Sequence, residues 1–128
     1  MPRYNIDLVV KDGGGGVVYA PLGSTHIAIE DIAMLRVIPN MTIVAPCDAD
    51  EMKRLIPASL DWPHPMYIRL AKGGDVIVSS DAAGFEIGRA ISMREGEDVL
   101  FITTGVATQR ALTASDILAS SGASSGVL

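Results

Sequence analysis

Cysteine is almost missing from this sequence. Cys47 is the only one in 128 residues, so neither an intrachain disulfide nor a multi-cysteine zinc site can form. Histidine is nearly as scarce, and His26 and His64 alone make an all-protein transition-metal site an unlikely design, so no metal ligands are assigned. Positive charge is short too: ten Lys and Arg against fifteen Asp and Glu give a net charge of -5, with no long runs of either sign. A chain without a basic stripe has nothing to neutralise a phosphate backbone, which argues against nucleic acid as a partner. Long apolar runs are absent as well, the longest falling well short of the roughly 20 residues that span a bilayer. Met1-Pro2-Arg3 leads into Asn5 and Asp7 rather than a signal-peptide core, so a cytoplasmic protein without a membrane partner is expected.

What is present is apolar material: 48% of the residues are hydrophobic, enough for one folded core of ordinary size. Ile6 to Val10 reads as a strand, and Gly13 to Gly16 as a mobile loop. That glycine run lacks both the spacing of a dinucleotide fingerprint and a following Lys-Ser/Thr, so a phosphate cradle is the weaker reading. Pro21 and Gly23 punctuate a turn, and the hydroxyls of Ser24 and Thr25 can cap a helix from about Ala28 to Arg36 that Pro39-Asn40 ends. Met41 to Ala45 is a continuous apolar run of the kind buried on both faces of a sheet, closed by Pro46. Asp48 with Glu51 three residues later forms a capping box opening a helix to about Leu60, in which Pro57 should bend or shorten the last turn. Tyr67 to Leu70 is the next strand, so Met41 to Leu70 makes a strand–helix–strand unit and the class is α/β.

Residues 74–84 shift to Gly, Ser, Asp and Ala and read as a linker. A second module then begins at Phe85, with weak alternation to Met93, a polar turn over Arg94 to Asp98 and an apolar strand from Val99 to Thr103. Ala107 to Ala119 has helical spacing, and Gly126-Val127-Leu128 begins another strand. Both ends fall inside a repeating α/β pattern, so the sequence reads as a fragment. Tyr4 to Val10 and Val99 to Thr103 are expected to be short of neighbours and to invite association.

Candidate chemistry concentrates in Gly23-Ser24-Thr25-His26 ahead of Glu30-Asp31, where an imidazole, hydroxyls and a helix start fall within one turn. His26 is either the wall of a polar pocket, able to donate to or accept from a substrate oxygen, or a capping loop residue. Arg69 and Lys72 lie at a strand's carboxyl end, where open α/β sheets bind ligands, and form either an anion site or a solvated surface pair. Glu30 and Asp31 could be an acid–base pair, but first-turn acids mostly serve the helix dipole. Cys47, with no basic neighbour in sequence, is read as packing, and His64 between two prolines as a surface loop residue.

The stretch from Tyr19 to Arg36, with Gly23-Ser-Thr-His26 and Glu30-Asp31 at its centre, followed by Ile38 to Asp48, resembles the transketolase family. The likeness continues through Tyr67-Ile-Arg-Leu-Ala-Lys-Gly73, Phe85 to Ala90 and Asp98 to Gly105. It is greatest to the separate C-terminal subunit of split transketolases, with 1-deoxyxylulose-5-phosphate synthase a close relative and the β-subunit of 2-oxo acid dehydrogenases a more distant one. The resemblance implies a partial parallel-sheet pyrimidine-binding domain (1–73), the linker (74–84) and the start of a transketolase C-terminal domain (85–128).

It further implies two-carbon ketol transfer between sugar phosphates, a carbohydrate-metabolic reaction that uses thiamine diphosphate and a divalent ion, Mg or Ca. The cofactor lies between subunits of a homo- or hetero-oligomer, a dimer in the simplest case, with its diphosphate and metal held by an N-terminal diphosphate-binding subunit or domain. His26 matches the family's substrate-facing histidine, Lys72 a basic residue on the substrate phosphate, and Arg69 a second candidate for that role. Cofactor-binding residues remain unassigned.

The sequence departs from the family at Leu22, where many transketolases carry an aspartate that reads a sugar hydroxyl, and at Gly14, near another substrate histidine. The glutamate that activates the aminopyrimidine and the aromatic that stacks on it are expected upstream of Met1. The isolated chain is therefore expected to be inactive, a fragment or a non-catalytic partner module.

Overall fold

The computed structural model describes residues 15–18 and 20–128, so the expected strand at Tyr4 to Val10 and most of the glycine loop lie outside the described residues. Two parallel strand–helix–strand units follow one another. The first comprises β1 (Thr42–Val44), α2 (Ala49–Leu60) and β2 (Met66–Ile68), with Thr42 opposite Met66 and Val44 opposite Ile68. The second comprises β3 (Val99–Phe101), α3 (Ala107–Ser120) and β4 (Ser125–Val127), with Val99 opposite Ser125 and Phe101 opposite Val127. A short helix α1 (Asp31–Leu35) precedes them. The α/β class and both units agree with the sequence reading.

The core lies under α2. Leu55 (1% exposed), Met66 and Ile68 are buried together, and Val44, Met52, Trp62, Leu70, Phe85 and Ile87 pack around them. Phe85 and Ile87, although they open the second segment, thus contribute to the first unit's core. In α3 the buried face is small, Thr108, Ala111 and Ser115, which lets the helix lie close on β4. Inside that contact the Ser125 hydroxyl donates to Ser115 Oγ at 2.8 Å, so burial of these hydroxyls is compensated.

Three local expectations are corrected. Ser24 and Thr25 do not cap α1: Ala20–His26 forms 3-10 turns kinked at Gly23 (φ 74), the Thr25 hydroxyl turns back to the Leu22 carbonyl at 3.4 Å, and the N-cap of α1 is Glu30, without a side-chain bond. β1 is half-buried rather than buried on both faces, because among the described residues it has one neighbour, β2, and all three of its residues keep some exposure. Pro57 does not shorten α2, which continues to Leu60, since proline removes one hydrogen bond and the apolar face around Leu55 and Met52 still packs.

The capping box forms, with one variation. Asp48 Oδ1 accepts from the backbone N–H groups of Asp50 (3.0 Å) and Glu51 (2.8 Å), while Glu51 reaches past Asp48 to the N–H of Cys47 at 2.6 Å. The other oxygen of Asp48, Oδ2, accepts from Val78 and Ser79 N–H, both at 2.7 Å. Residues 76–81, inside the segment read as a linker, are thereby tied to the start of α2. Arg54 on α2 adds bonds to Ser79 and to Asp81, and Gln109 on α3 donates to the Val76 carbonyl at 2.9 Å. Gly105 N–H donates to the Ala45 carbonyl at 2.9 Å, joining the second unit to the end of β1.

Candidate functional site

Parallel strands leave their carboxyl ends on one side, and here the segments leaving β1, β2 and β3 converge there. Ala45-Pro46, Arg69 to Ala71 and Thr104 to Ala107, with Gly15 to Val17 across from them, line a cleft of about 140 Å³. Arg69 is the charged residue in its wall. Its guanidinium is placed by two hydrogen bonds, Nε to Asp31 Oδ2 and Nη2 to the Ala28 carbonyl, each 2.8 Å. Tyr67 OH donates to the same Asp31 oxygen at 2.9 Å. Burial raises the Asp31 pKa, but the hydrogen bonds from Tyr67 and Arg69 and the arginine charge outweigh it, so the carboxyl titrates below its ordinary range.

The glycines give this cluster its roof. Gly15 N–H donates to the Leu70 carbonyl at 3.3 Å, and Gly16 exchanges hydrogen bonds with Ala28 (2.8 and 3.1 Å). A Cβ on Gly15 would stand 2.7 Å from the Leu70 carbonyl oxygen and 3.1 Å from Arg69 Cγ, so only glycine lets the backbone lie this close.

Of the residues singled out in the sequence, Arg69 is brought to the segment that carries His26, two residues before Ala28. His26 closes the 3-10 turns, its Nδ1 2.9 Å from Thr25 Oγ1. Lys72 lies in the exposed stretch leaving β2. Neither His26 nor Lys72 is part of the cleft wall around Arg69. Glu30 is exposed at the start of α1, and Asp31 is buried as an ion-pair partner, so the two are not a free acid–base pair. Cys47 is buried, and desolvation, with Glu51 and Asp48 nearby, drives its thiol pKa upward, in keeping with a packing role. His64 is exposed, its ring edge-on to Trp62 at 6.3 Å.

Sequence reasoning did not anticipate the Asp31–Tyr67–Arg69 cluster. Its one signal was an acid in a first turn, which normally needs no partner beyond the helix dipole.

A second cavity, of about 210 Å³, opens between the two units and is lined among others by Arg54, Ser79, Arg89, Thr104 and Thr108. Among the described residues no group of three or more His, Cys, Asp or Glu could hold a metal ion, and no helix is long and apolar enough to cross a membrane.

A parallel α/β chain with a glycine-roofed cleft at its strand ends is the class of domain defined by this architecture. The sequence profile of the transketolase pyrimidine-binding domain matches residues 5–74, and the chain belongs to that family. It is 43% identical over 107 residues to a transketolase family protein of Sinorhizobium fredii, covering 83% of this chain and 31% of that protein. It is 36% identical over 115 residues to an apulose-4-phosphate transketolase subunit of Phocaeicola vulgatus, covering 89% and 37% respectively. Among solved structures it superposes with a TM-score of 0.76, at 37% identity, on a split-gene transketolase described as an inactive β4 tetramer, covering 82% of this chain and 35% of that one. The chain thus spans about a third of the length of these relatives.

Among the described residues the cleft offers one arginine and there is no carboxylate cluster for a metal, so they do not by themselves make up a metal–diphosphate site.

Proposed function

We propose that this chain contributes the pyrimidine-binding side of a thiamine-diphosphate-dependent transketolase-type transferase acting on sugar phosphates. The family match over residues 5–74 carries the reading. We divide the chain into a pyrimidine-binding part (1–73), a connector (74–84) and the start of a C-terminal domain (85–128), and the end of the family match at residue 74 supports the first of these boundaries. The cofactor, when bound, supplies the nucleophilic carbon that accepts a two-carbon ketol unit. His26 meets the sugar oxygens, donating or accepting a proton, while Lys72 and Arg69 face the substrate phosphate. The divalent ion, Mg or Ca, and the diphosphate belong to a second, diphosphate-binding subunit or domain, and the working enzyme is an oligomer in the cytoplasm.

Alone, the chain is inactive, a reading supported by the similar split-gene transketolase being described as an inactive β4 tetramer. Mixing the chain with a diphosphate-binding subunit of a split transketolase, thiamine diphosphate and Mg²⁺ tests the proposal by ketol transfer between sugar phosphates. Activity that requires both proteins is expected. Transfer by the chain alone, or activity of the mixture unchanged when the chain is left out, refutes it.

A further inference from the structure

We propose that Asp31 is a positioning residue for Arg69, fixing its guanidinium as an anion-binding group in the cleft at the strand ends. The proposal rests on the functional reading above only for the identity of the anion, a substrate phosphate. The local geometry stands by itself. Arginine on a free surface swings among many rotamers, whereas here two of its three nitrogens are spent on fixed acceptors, one of them a carboxylate that is itself 9% exposed.

Arg69 lines the cleft and its Nη1 has no hydrogen bond among the described residues, so a guanidinium held at two corners keeps its third nitrogen for an anion. Asp31 is in turn held by the phenol of Tyr67, a buried residue in the middle of β2. The other Asp31 oxygen, Oδ1, is buried and accepts no hydrogen bond from the described residues, and Arg69 is the one cation paired with this carboxylate among them. The same clamp ties Arg69 to the Ala28 carbonyl and hence to the segment bearing His26. An anion on Arg69 and a sugar oxygen on His26 would then lie on two segments joined by that hydrogen bond. Asp31 touches no substrate in this scheme; it acts through the arginine.

The test is titration of the 128-residue chain with inorganic phosphate at low ionic strength, followed by the NMR signal of the Arg69 Nε–H. Asp31→Asn keeps the shape and an oxygen acceptor for Tyr67 but removes the charge. The wild type is expected to show saturable phosphate binding. Asp31→Asn should weaken it roughly tenfold, as loss of one charge-assisted hydrogen bond implies. Arg69→Lys, which cannot make the fork, should weaken it as much, and the double variant no further. Tyr67→Phe, which keeps the ion pair but removes one donor from Asp31, should weaken binding less than Asp31→Asn does, and a Tyr67→Phe chain weakened more than Asp31→Asn overturns the role given to the ion pair. Phosphate binding by Asp31→Asn at the wild-type constant overturns the proposal, as does the absence of saturable binding by the wild type. Failure of ketol transfer in the assembled enzyme with these phosphate results intact counts against the functional reading instead.

Discussion

Replacing Asp48 by alanine should be among the most damaging single changes at a non-apolar position. The carboxylate is the N-cap of α2 and at the same time the acceptor for Val78 and Ser79 N–H, so one substitution frays a helix and releases the 76–81 segment. Loss of an N-cap costs about 1 kcal/mol. Leaving two part-buried N–H groups unpaired adds about 1 kcal/mol each. The combined loss of roughly 3 kcal/mol is a large part of the roughly 5–15 kcal/mol that usually holds a domain together. Burial raises the Asp48 pKa, but hydrogen bonds from Glu51, Ser79 and Val78 outweigh it and hold the carboxyl well below the usual carboxylate range.

A depressed folded pKa means that this stability is present above the unfolded value of about 3.9 and is lost as pH falls through the folded one. The advantage of wild type over Asp48→Asn should therefore shrink below about pH 4. Urea unfolding read from the fluorescence of Trp62, the single tryptophan, half-buried with its Nε1 on Thr42 Oγ1 at 2.8 Å, measures both effects. An Asp48→Ala chain within about 0.5 kcal/mol of wild type at pH 7 would refute the bridging role assigned to this carboxylate.

Leu55→Ala, which empties the centre of the core, should cost about 2–5 kcal/mol in the same unfolding experiment. Gly96→Ala should be costly at an outwardly polar turn, because an added Cβ would run into the backbone of Ser125 and Gly126; a loss of roughly 1–3 kcal/mol is expected, and a thermal midpoint equal to wild type would contradict the packing of β4 against this turn. Cys47, buried and with its thiol pKa driven up, should react with a thiol reagent at pH 8 far more slowly in the folded chain than in urea.

The periodic elements were legible in the sequence because they follow local rules. The Asp48–Glu51 box marks the start of α2, and the apolar runs at Met41 to Ala45, Tyr67 to Leu70 and Val99 to Thr103 each contain all or part of a strand. What escaped the reading depends on residues far apart in the chain. Nothing near Asp48 indicates that Val78 and Ser79 will return to it, and nothing near Asp31 indicates a pairing with Tyr67 and Arg69, 36 and 38 positions away. Likewise Gly96 reads as an ordinary turn glycine until β4 is seen to lie against it. Full burial of β1 failed as an expectation because an apolar run states what a strand tolerates, not how many neighbours it has. Ile102, in the expected third strand but just beyond β3, is 78% exposed for the same reason.

The measurement that bears most directly on the account is ketol transfer by the enzyme assembled from this chain and a diphosphate-binding subunit, comparing wild type with His26→Ala. A lost general acid–base or sugar-oxygen contact predicts kcat/KM lower by about 10²-fold or more, with the affinity for thiamine diphosphate unchanged. Equal activity of the two assemblies would contradict the placement of His26 at the substrate, and with it the alignment of this chain to the active side of the family.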